Sequence, residues 1–209
     1  QAAAAEQFVN ISYLLLALIC VNHLIVMVDI LLSPGVSALS FPISLALVFG
    51  LFIIYKGNKG EVFSASCLLP VIFSLVCVVL SLGFSAFFFD LSWDGQWYHQ
   101  AAVHALSEGW NPLREPIREF NKNNDISILH FPKGSWYFAA SVYSTFGNIE
   151  MGKSLNLIVL IAAWCSLIIA GLEYRLKLFK SIILALLVVL NPVVWSQITT
   201  FLVDGNLYL

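Results

Sequence analysis

Apolar residues fall into five long runs along this chain, separated by short polar connectors and by one long polar segment. The runs cover residues 8–32, 41–55, 62–89, 155–172 and 181–200. A helix of about 20 apolar residues crosses the roughly 30 Å hydrocarbon core of a bilayer. The pattern therefore predicts an all-α, polytopic membrane protein with about five transmembrane helices, the fifth kinked where Asn191 and Pro192 interrupt it.

The long polar segment, residues 90–153, contains two stretches with helical character. Alanine and aromatic residues recur at helical spacing over 95–108, and Gly109 follows where a C-cap glycine belongs. A second, aromatic-rich helix is predicted over 135–146. Both stretches are too polar or too short to span a bilayer, so we expect one large outer loop that bears two interfacial helices.

The basic residues of the short connectors predict the orientation of the chain. Lysine and arginine are present in the connectors at 56–61 and 173–180, whereas the turn at 33–40 has neither. Short loops rich in these residues stay on the cytoplasmic side. The distribution therefore predicts that 33–40 and the segment 90–153 both lie outside.

Composition supports a membrane protein and narrows the function. The chain has 209 residues, of which 60% are hydrophobic and 11% charged, with a net charge of −2; soluble domains are about 25% charged. An almost neutral chain argues against a nucleic-acid partner. The four cysteines lie in apolar runs without metal-ligand spacing. The chain stops as another apolar run begins after residue 200, so we expect it to be part of a longer protein.

Asp94 is the first candidate for chemistry, and its position has two interpretations. It lies four residues before Tyr98, so both side chains share one helix face. A carboxylate there, at a membrane interface, can take a proton from a hydroxyl group. Asp94 can also be the N-cap of the helix over 95–108. The two roles are compatible, since a cap leaves one carboxylate oxygen free.

Histidines near this acid have similarly open roles. His99 and His104 are five residues apart and point to different sides of a helix, which argues against a shared metal. Each of them, like His130, is either an interfacial hydrogen-bonding group or a ligand. Asp90, Asp94 and a histidine form a weak candidate set for a divalent cation.

Lys133 lies between Pro132 and Gly134, where the helix over 135–146 is predicted to begin. A cation beside a helix N-terminus suits a phosphate, but a lysine there can also simply reach from the apolar region to the headgroups. Six aromatic residues surround these positions in sequence: Trp93, Trp97, Tyr98, Trp110, Trp136 and Tyr137. They fit a membrane-interface belt and equally fit stacking against a sugar.

Several short motifs follow one another in a recognisable order. They are Asp94-Gly-Gln-Trp-Tyr98, Ala102, Leu106, Gly109-Trp110, Pro112, Pro132-Lys133-Gly134, Trp136-Tyr137 and Phe146-Gly147. Their order and spacing resemble the first outer loop of C-type (GT-C) integral-membrane glycosyltransferases. The resemblance is strongest to the branch with protein O-mannosyltransferases and the lipid A aminoarabinose transferase, where a span ends in an Asp-Glu-x-x-Tyr motif. It covers residues 62–209, and Thr200–Asp204 is similar to a later acidic position of that family.

The resemblance implies a role for each matching position. Asp94 would be the general base that activates an acceptor hydroxyl, and Lys133 would face the phosphate of the donor. Tyr98, His99 and His130 would line the pocket, and Asp204 would approach from the second loop.

The sequence departs from the family pattern at two positions. Gly95 stands where the family has its second acid, which Asp90 would have to supply instead. Gly134 and Ser135 stand where the family has a double proline.

The resemblance also implies an activity and a location. We expect inverting transfer of a sugar from a polyprenyl-phosphate-linked donor to a glycan, lipid or protein hydroxyl, with a divalent cation as the one candidate cofactor. The site would lie on the periplasmic face of a bacterial inner membrane, built by a GT-C-like core at 62–209 behind two N-terminal transmembrane helices at 1–61. The alternative is a non-catalytic GT-C-like subunit that binds lipid-linked glycan or a partner protein. A transporter is disfavoured because the ionisable residues cluster outside the spans.

Overall fold

The structure, a computed structural model, describes residues 2–33, 35–114 and 128–209, so part of the predicted outer loop lies outside the described residues. Every regular element in these ranges is helical. The helices are α1 (Ala2–Leu32), α2 (Ser40–Gly57), α3 (Ala65–Phe87), α4 (Gln100–Ser107), α5 (Gly134–Phe146), α6 (Ser154–Glu173), α7 (Leu178–Val189), α8 (Pro192–Gln197) and α9 (Asp204–Tyr208). A π-helical turn, Gly95–His99, leads into α4, and a 3-10 turn, Ile149–Lys153, leads into α6.

Four helical segments of the described chain are long and apolar enough to cross a membrane. They are Ala2–Leu32, Ser40–Gly57, Ala65–Phe87 and Ile149–Glu173. They coincide with the first four apolar runs of the sequence. The prediction of an all-α, membrane-embedded chain is therefore confirmed.

The predicted fifth span differs from a single kinked helix. α7 has 12 residues and ends at Val189, and the chain restarts as the six-residue α8 at Pro192. Twelve residues rise only about 18 Å, which is short of a hydrocarbon core. The break arises because Asn191 is extended, as a residue before proline prefers. Its side chain also accepts a hydrogen bond from the Val193 N–H and starts a new helix.

α1 lies at the centre of the bundle and packs against α2, α3, α5 and α6, while α7 packs on α6. Three leucines on its buried stripe, Leu14, Leu15 and Leu18, have no exposed surface. Polar side chains add specific links within this apolar packing. The Asn22 amide donates to the Ser44 hydroxyl of α2 and accepts from the Ser141 hydroxyl of α5. One residue of α1 therefore fixes two neighbouring helices.

The end of α1 is joined to the segment after α3. Asn111 and Arg114 donate side-chain hydrogen bonds to the carbonyl oxygens of Ile30 and Leu31, which satisfy helix-end acceptors. Gly109 closes α4 with a φ of 104°, as predicted for a C-cap glycine. These contacts bring the turn after α1 and the predicted outer loop to the same end of the bundle.

The two short helices predicted in this loop are present, but both bury a face against the bundle. α5 packs on α1, α2 and α4, and its Trp136 and Phe138 are fully buried. Of the aromatic residues assigned to an interfacial belt, Tyr98 and Trp110 are buried as well. Only the neighbouring Trp93 and Trp97, whose rings meet edge to face, expose large surfaces. The aromatic sequence signal here reports mainly core packing.

Candidate active site

The candidate site is built on the π-helical turn Gly95–His99, which follows the short segment after α3. The turn closes with a hydrogen bond from the Gln100 N–H to the Gly95 carbonyl, five residues back. In this wider turn, residues five apart lie on the same side of the helix. His99 is therefore on the same side as Asp94, next to Tyr98. Single π-helical turns within α-helices occur frequently at functional sites.

Asp90 is buried beneath this turn and holds it in place. Its carboxylate accepts hydrogen bonds from the backbone N–H groups of Ser92 and Phe201, at 2.8 and 2.7 Å. A Cβ on Gly95 would lie 2.0 Å from the Asp90 Oδ2 atom. The space that a second acid of the motif would occupy is thus filled by the Asp90 carboxylate.

Asp94 is exposed at the start of the turn and makes no side-chain capping hydrogen bond. Its backbone is already helical, with φ −64° and ψ −38°, whereas an N-cap residue is usually extended. The interpretation of Asp94 as an N-cap is therefore wrong. The carboxylate lies close enough to Tyr98 and His99 for its charge to act on both.

Nearby carboxylates act on the buried side chains of Tyr98 and His99. Burial, followed by the charges of Asp94 and Asp204, raises the pKa of Tyr98 to about 12. Burial lowers the pKa of His99 to about 4, although Asp94, Asp90 and Asp204 oppose that shift. The Tyr98 hydroxyl and the His99 imidazole are consequently both neutral at pH 7. Two exposed acids, Asp94 and Asp204, thus flank a neutral, aromatic floor.

The orientation of His99 follows from a hydrogen bond between two segments. The indole N–H of Trp136, the third residue of α5, donates to His99 Nδ1 at 2.7 Å. Since Nδ1 accepts, the neutral ring carries its proton on Nε2. The ring of Phe131 packs against both Tyr98 and His99, with centroids 5.1 and 5.8 Å away. Phe131 thus continues the aromatic floor toward Lys133.

Lys133 immediately precedes α5, as the sequence predicts. Its ammonium donates to the carbonyl oxygens of Leu129 and Phe131, at 2.9 and 3.3 Å, and lies 6.0 Å from the centroid of the Trp136 ring. Partial burial lowers the pKa of the Lys133 ammonium. An ammonium has three donors, so one remains for a further acceptor. Contacts of Phe131 and Trp136 link Lys133 to the buried rings of Tyr98 and His99, which lie near Asp94.

The predicted acidic position late in the chain, Asp204, also reaches this region. It begins α9 and accepts a hydrogen bond from the Gln197 side chain at 3.0 Å. The loop before it donates the Phe201 N–H to Asp90. The chain segment around 200 therefore lies against Asp90, beneath the turn Gly95–His99.

His130 is exposed next to Phe131, and its ring makes no described contact with Asp94 or His99. Within the described parts of the chain, no group of three or more His, Cys, Asp and Glu side chains is arranged to hold a metal ion. The candidate cation site of Asp90, Asp94 and a histidine is therefore not assembled among the described residues.

A buried ion pair beneath the site was missed by the sequence interpretation. Lys153 and Glu150 are 2.5 Å apart in the 3-10 turn and almost fully buried. The Lys153 ammonium also donates to the Phe88 carbonyl, and Glu150 accepts from the Asp90 N–H and the Gln100 side chain. The opposite charges three residues apart were a usable signal, but they lie in a segment that otherwise resembles a polar loop.

His23 of α1 also reaches this region. Its two ring nitrogens lie 2.7 Å from the carbonyl oxygens of Ile19 and Gly134. The contact ties the start of α5, and with it Lys133, to the central helix. In the sequence, His23 is an ionisable residue within the first apolar run.

Together these contacts describe a surface with one free acid, a neutral aromatic floor and one cation, all supported from below by α1 and the buried ion pair. A comparison of this chain with protein-family models, with curated proteins and with solved structures finds no match.

Proposed function

We propose that this chain is a membrane glycosyltransferase that moves a sugar from a polyprenyl-phosphate-linked donor to an acceptor hydroxyl, with Asp94 as the general base. The observation that carries the proposal is Asp94, an exposed carboxylate free of a capping role, set beside buried Tyr98 and His99. Asp94 would take the proton of the acceptor hydroxyl as that oxygen attacks the anomeric carbon. The acceptor is a glycan, lipid or protein hydroxyl.

Lys133 supports the other half of the reaction. A departing lipid phosphate gains negative charge, and a lysine beside a helix N-terminus stabilises that charge. The aromatic rings between Lys133 and Asp94 offer apolar faces on which a sugar can stack. The donor's lipid tail would remain in the bilayer beside the four spanning helices.

Location follows from the same proposal. The site lies at the end of the bundle shared with the turn after α1, which lacks basic residues. The positive-inside rule puts that end outside. We therefore propose the periplasmic face of a bacterial inner membrane, where lipid-linked sugars are consumed without a nucleotide.

The test is transfer from a synthetic short-chain polyprenyl-phosphate sugar by the whole protein in detergent. Asp94→Asn is expected to lower kcat by about 10²–10⁴-fold, the usual contribution of a general base, with little change in thermal stability. Glu108→Gln is the matched control, since Glu108 is an exposed acid at the end of the same helix. Full activity in Asp94→Asn would contradict the proposal.

A non-catalytic subunit that binds lipid-linked glycan or a partner protein is the second candidate. Two observations favour it: Asp90 occupies the space of the missing second acid, and Lys133 already donates to two backbone carbonyls. Under this alternative, Asp94→Asn leaves the phenotype intact. Co-purification of a partner would then be lost on a bulky replacement on the helix over 95–108, such as His104→Trp at an exposed position.

A further inference from the structure

An apolar groove lies between α1 and α2, far from the candidate active site. Its walls include Val9, Tyr13 and Val21 of α1 and Val48, Phe52 and Tyr55 of α2. The volume of the groove is about 560 Å³, within the roughly 300–1,000 Å³ of small-molecule sites. Tyr13 and Tyr55 are more than half exposed, so the groove opens on the surface of the bundle.

The length of the groove matches one leaflet of a bilayer. From Val9 to Val21 the α1 axis rises about 18 Å, whereas a hydrocarbon core is about 30 Å thick. A lipid chain that enters from one headgroup region needs only this half.

The headgroup end of the groove carries an available cation. The Lys59 ammonium donates to the Tyr55 hydroxyl at 2.6 Å and lies 4.4 Å from the centroid of that ring. Lys56 is buried between Glu6 and Glu61, at 3.0 and 3.1 Å, and is not available to a ligand. Lys59 is exposed and keeps two N–H donors for an anion.

We infer that this groove binds an anionic glycerophospholipid of the leaflet on the Lys59 side, which the connector charges predict to be cytoplasmic. One acyl chain lies along α1 between the tyrosines, and the phosphate accepts hydrogen bonds from Lys59 and the Tyr55 hydroxyl. The site is independent of the proposed transfer reaction, which lies at the opposite end of the bundle.

The test measures lipid bound to the whole protein by native mass spectrometry in mild detergent, with phosphatidylglycerol and phosphatidylcholine as the added probes. Wild-type protein should retain phosphatidylglycerol in preference to phosphatidylcholine. Lys59→Gln should reduce that preference about fivefold, the contribution of one lysine at a membrane surface. Equal retention of the two lipids by wild-type protein would overturn the inference.

A groove-filling variant tests the position of the chain. Ala17 lines the groove, so Ala17→Phe should abolish lipid retention, whereas Ala46→Phe, on the exposed surface of α2 outside the groove, should not. Leu51→Trp fills the exposed mouth from α2 and serves if Ala17→Phe does not fold. Unchanged retention in a folded groove-filling variant would show that lipid binds elsewhere, or that protein covers this face, and either outcome overturns the inference.

Discussion

His99 shows how one side chain can be fixed in a single chemical form by its neighbours. Burial removes the solvation of the imidazolium, and the Trp136 N–H occupies Nδ1. Three nearby carboxylates raise the pKa of His99, but by less than burial lowers it, so the ring stays neutral. A neutral ring of defined tautomer is a hydrogen-bond donor through Nε2, whatever the pH of the compartment above about 5.

Stability should therefore depend on pH through His99. Its pKa is about 6.5 in an unfolded chain and about 4 in the fold, so the unfolded state binds more protons between these values. The stability that depends on a neutral His99 is fully present above pH 6.5 and is lost as the pH falls toward 4. Thermal unfolding in detergent measures this. As the pH is lowered from 6.5 to 4, the Tm of His99→Gln should fall by less than the Tm of the wild-type protein. His104→Gln, at an exposed position of α4, should follow wild type; identical slopes in all three would contradict the argument.

Among the elements, the turn Gly95–His99 has the most specific geometry. It is wider than an α-helical turn and closes over a buried carboxylate. The spacing of Asp94 and Tyr98 could be read from the sequence, but the extra residue in the turn could not, because apolar periodicity over 95–108 fits an ordinary helix equally well. The His99–Trp136 contact joins residues 37 apart and left no local signal.

Gly95→Ala should destabilise the protein because the added methyl group would overlap the Asp90 carboxylate. To avoid the overlap, the Asp90 carboxylate must give up its hydrogen bonds from the Ser92 and Phe201 N–H groups. We therefore expect the free energy of unfolding to fall by about 1–3 kcal/mol. Thermal unfolding of the detergent-solubilised protein measures it. Gly83→Ala is the control, since Gly83 lies in α3 with open space around it and alanine there should stabilise slightly. Equal Tm changes in the two variants would disprove the role of the overlap.

Across the whole molecule, apolar runs specified the spans and polar contacts specified how they are joined. The four spanning helices could be predicted because run length alone decides whether a helix can cross a bilayer. The prediction of a fifth span was wrong because proline and a capping asparagine end a helix regardless of the hydropathy on either side. The central position of α1, and the burial of Glu150 with Lys153, depend on packing that no single stretch encodes.

Lys153→Met should be strongly destabilising, because it leaves the Glu150 carboxylate buried without its cation. Breaking such a pair costs about 3–5 kcal/mol. The double variant Glu150→Gln/Lys153→Met should recover part of that loss, and Lys180→Met, at an exposed lysine, should be close to neutral. Unfolding followed by circular dichroism measures all three. A single variant as stable as Lys180→Met would contradict a structural role for the pair.

The hydrogen bond from Phe201 to Asp90 imposes an order on biosynthesis. The two residues are 111 positions apart, and at roughly 5–20 residues per second a ribosome needs about 6–22 s to travel between them. Throughout that interval the carboxylate must be solvated or bound by something other than its final donor. Asp90 can therefore reach its final set of donors only after α8 and the residues that follow it have been synthesised.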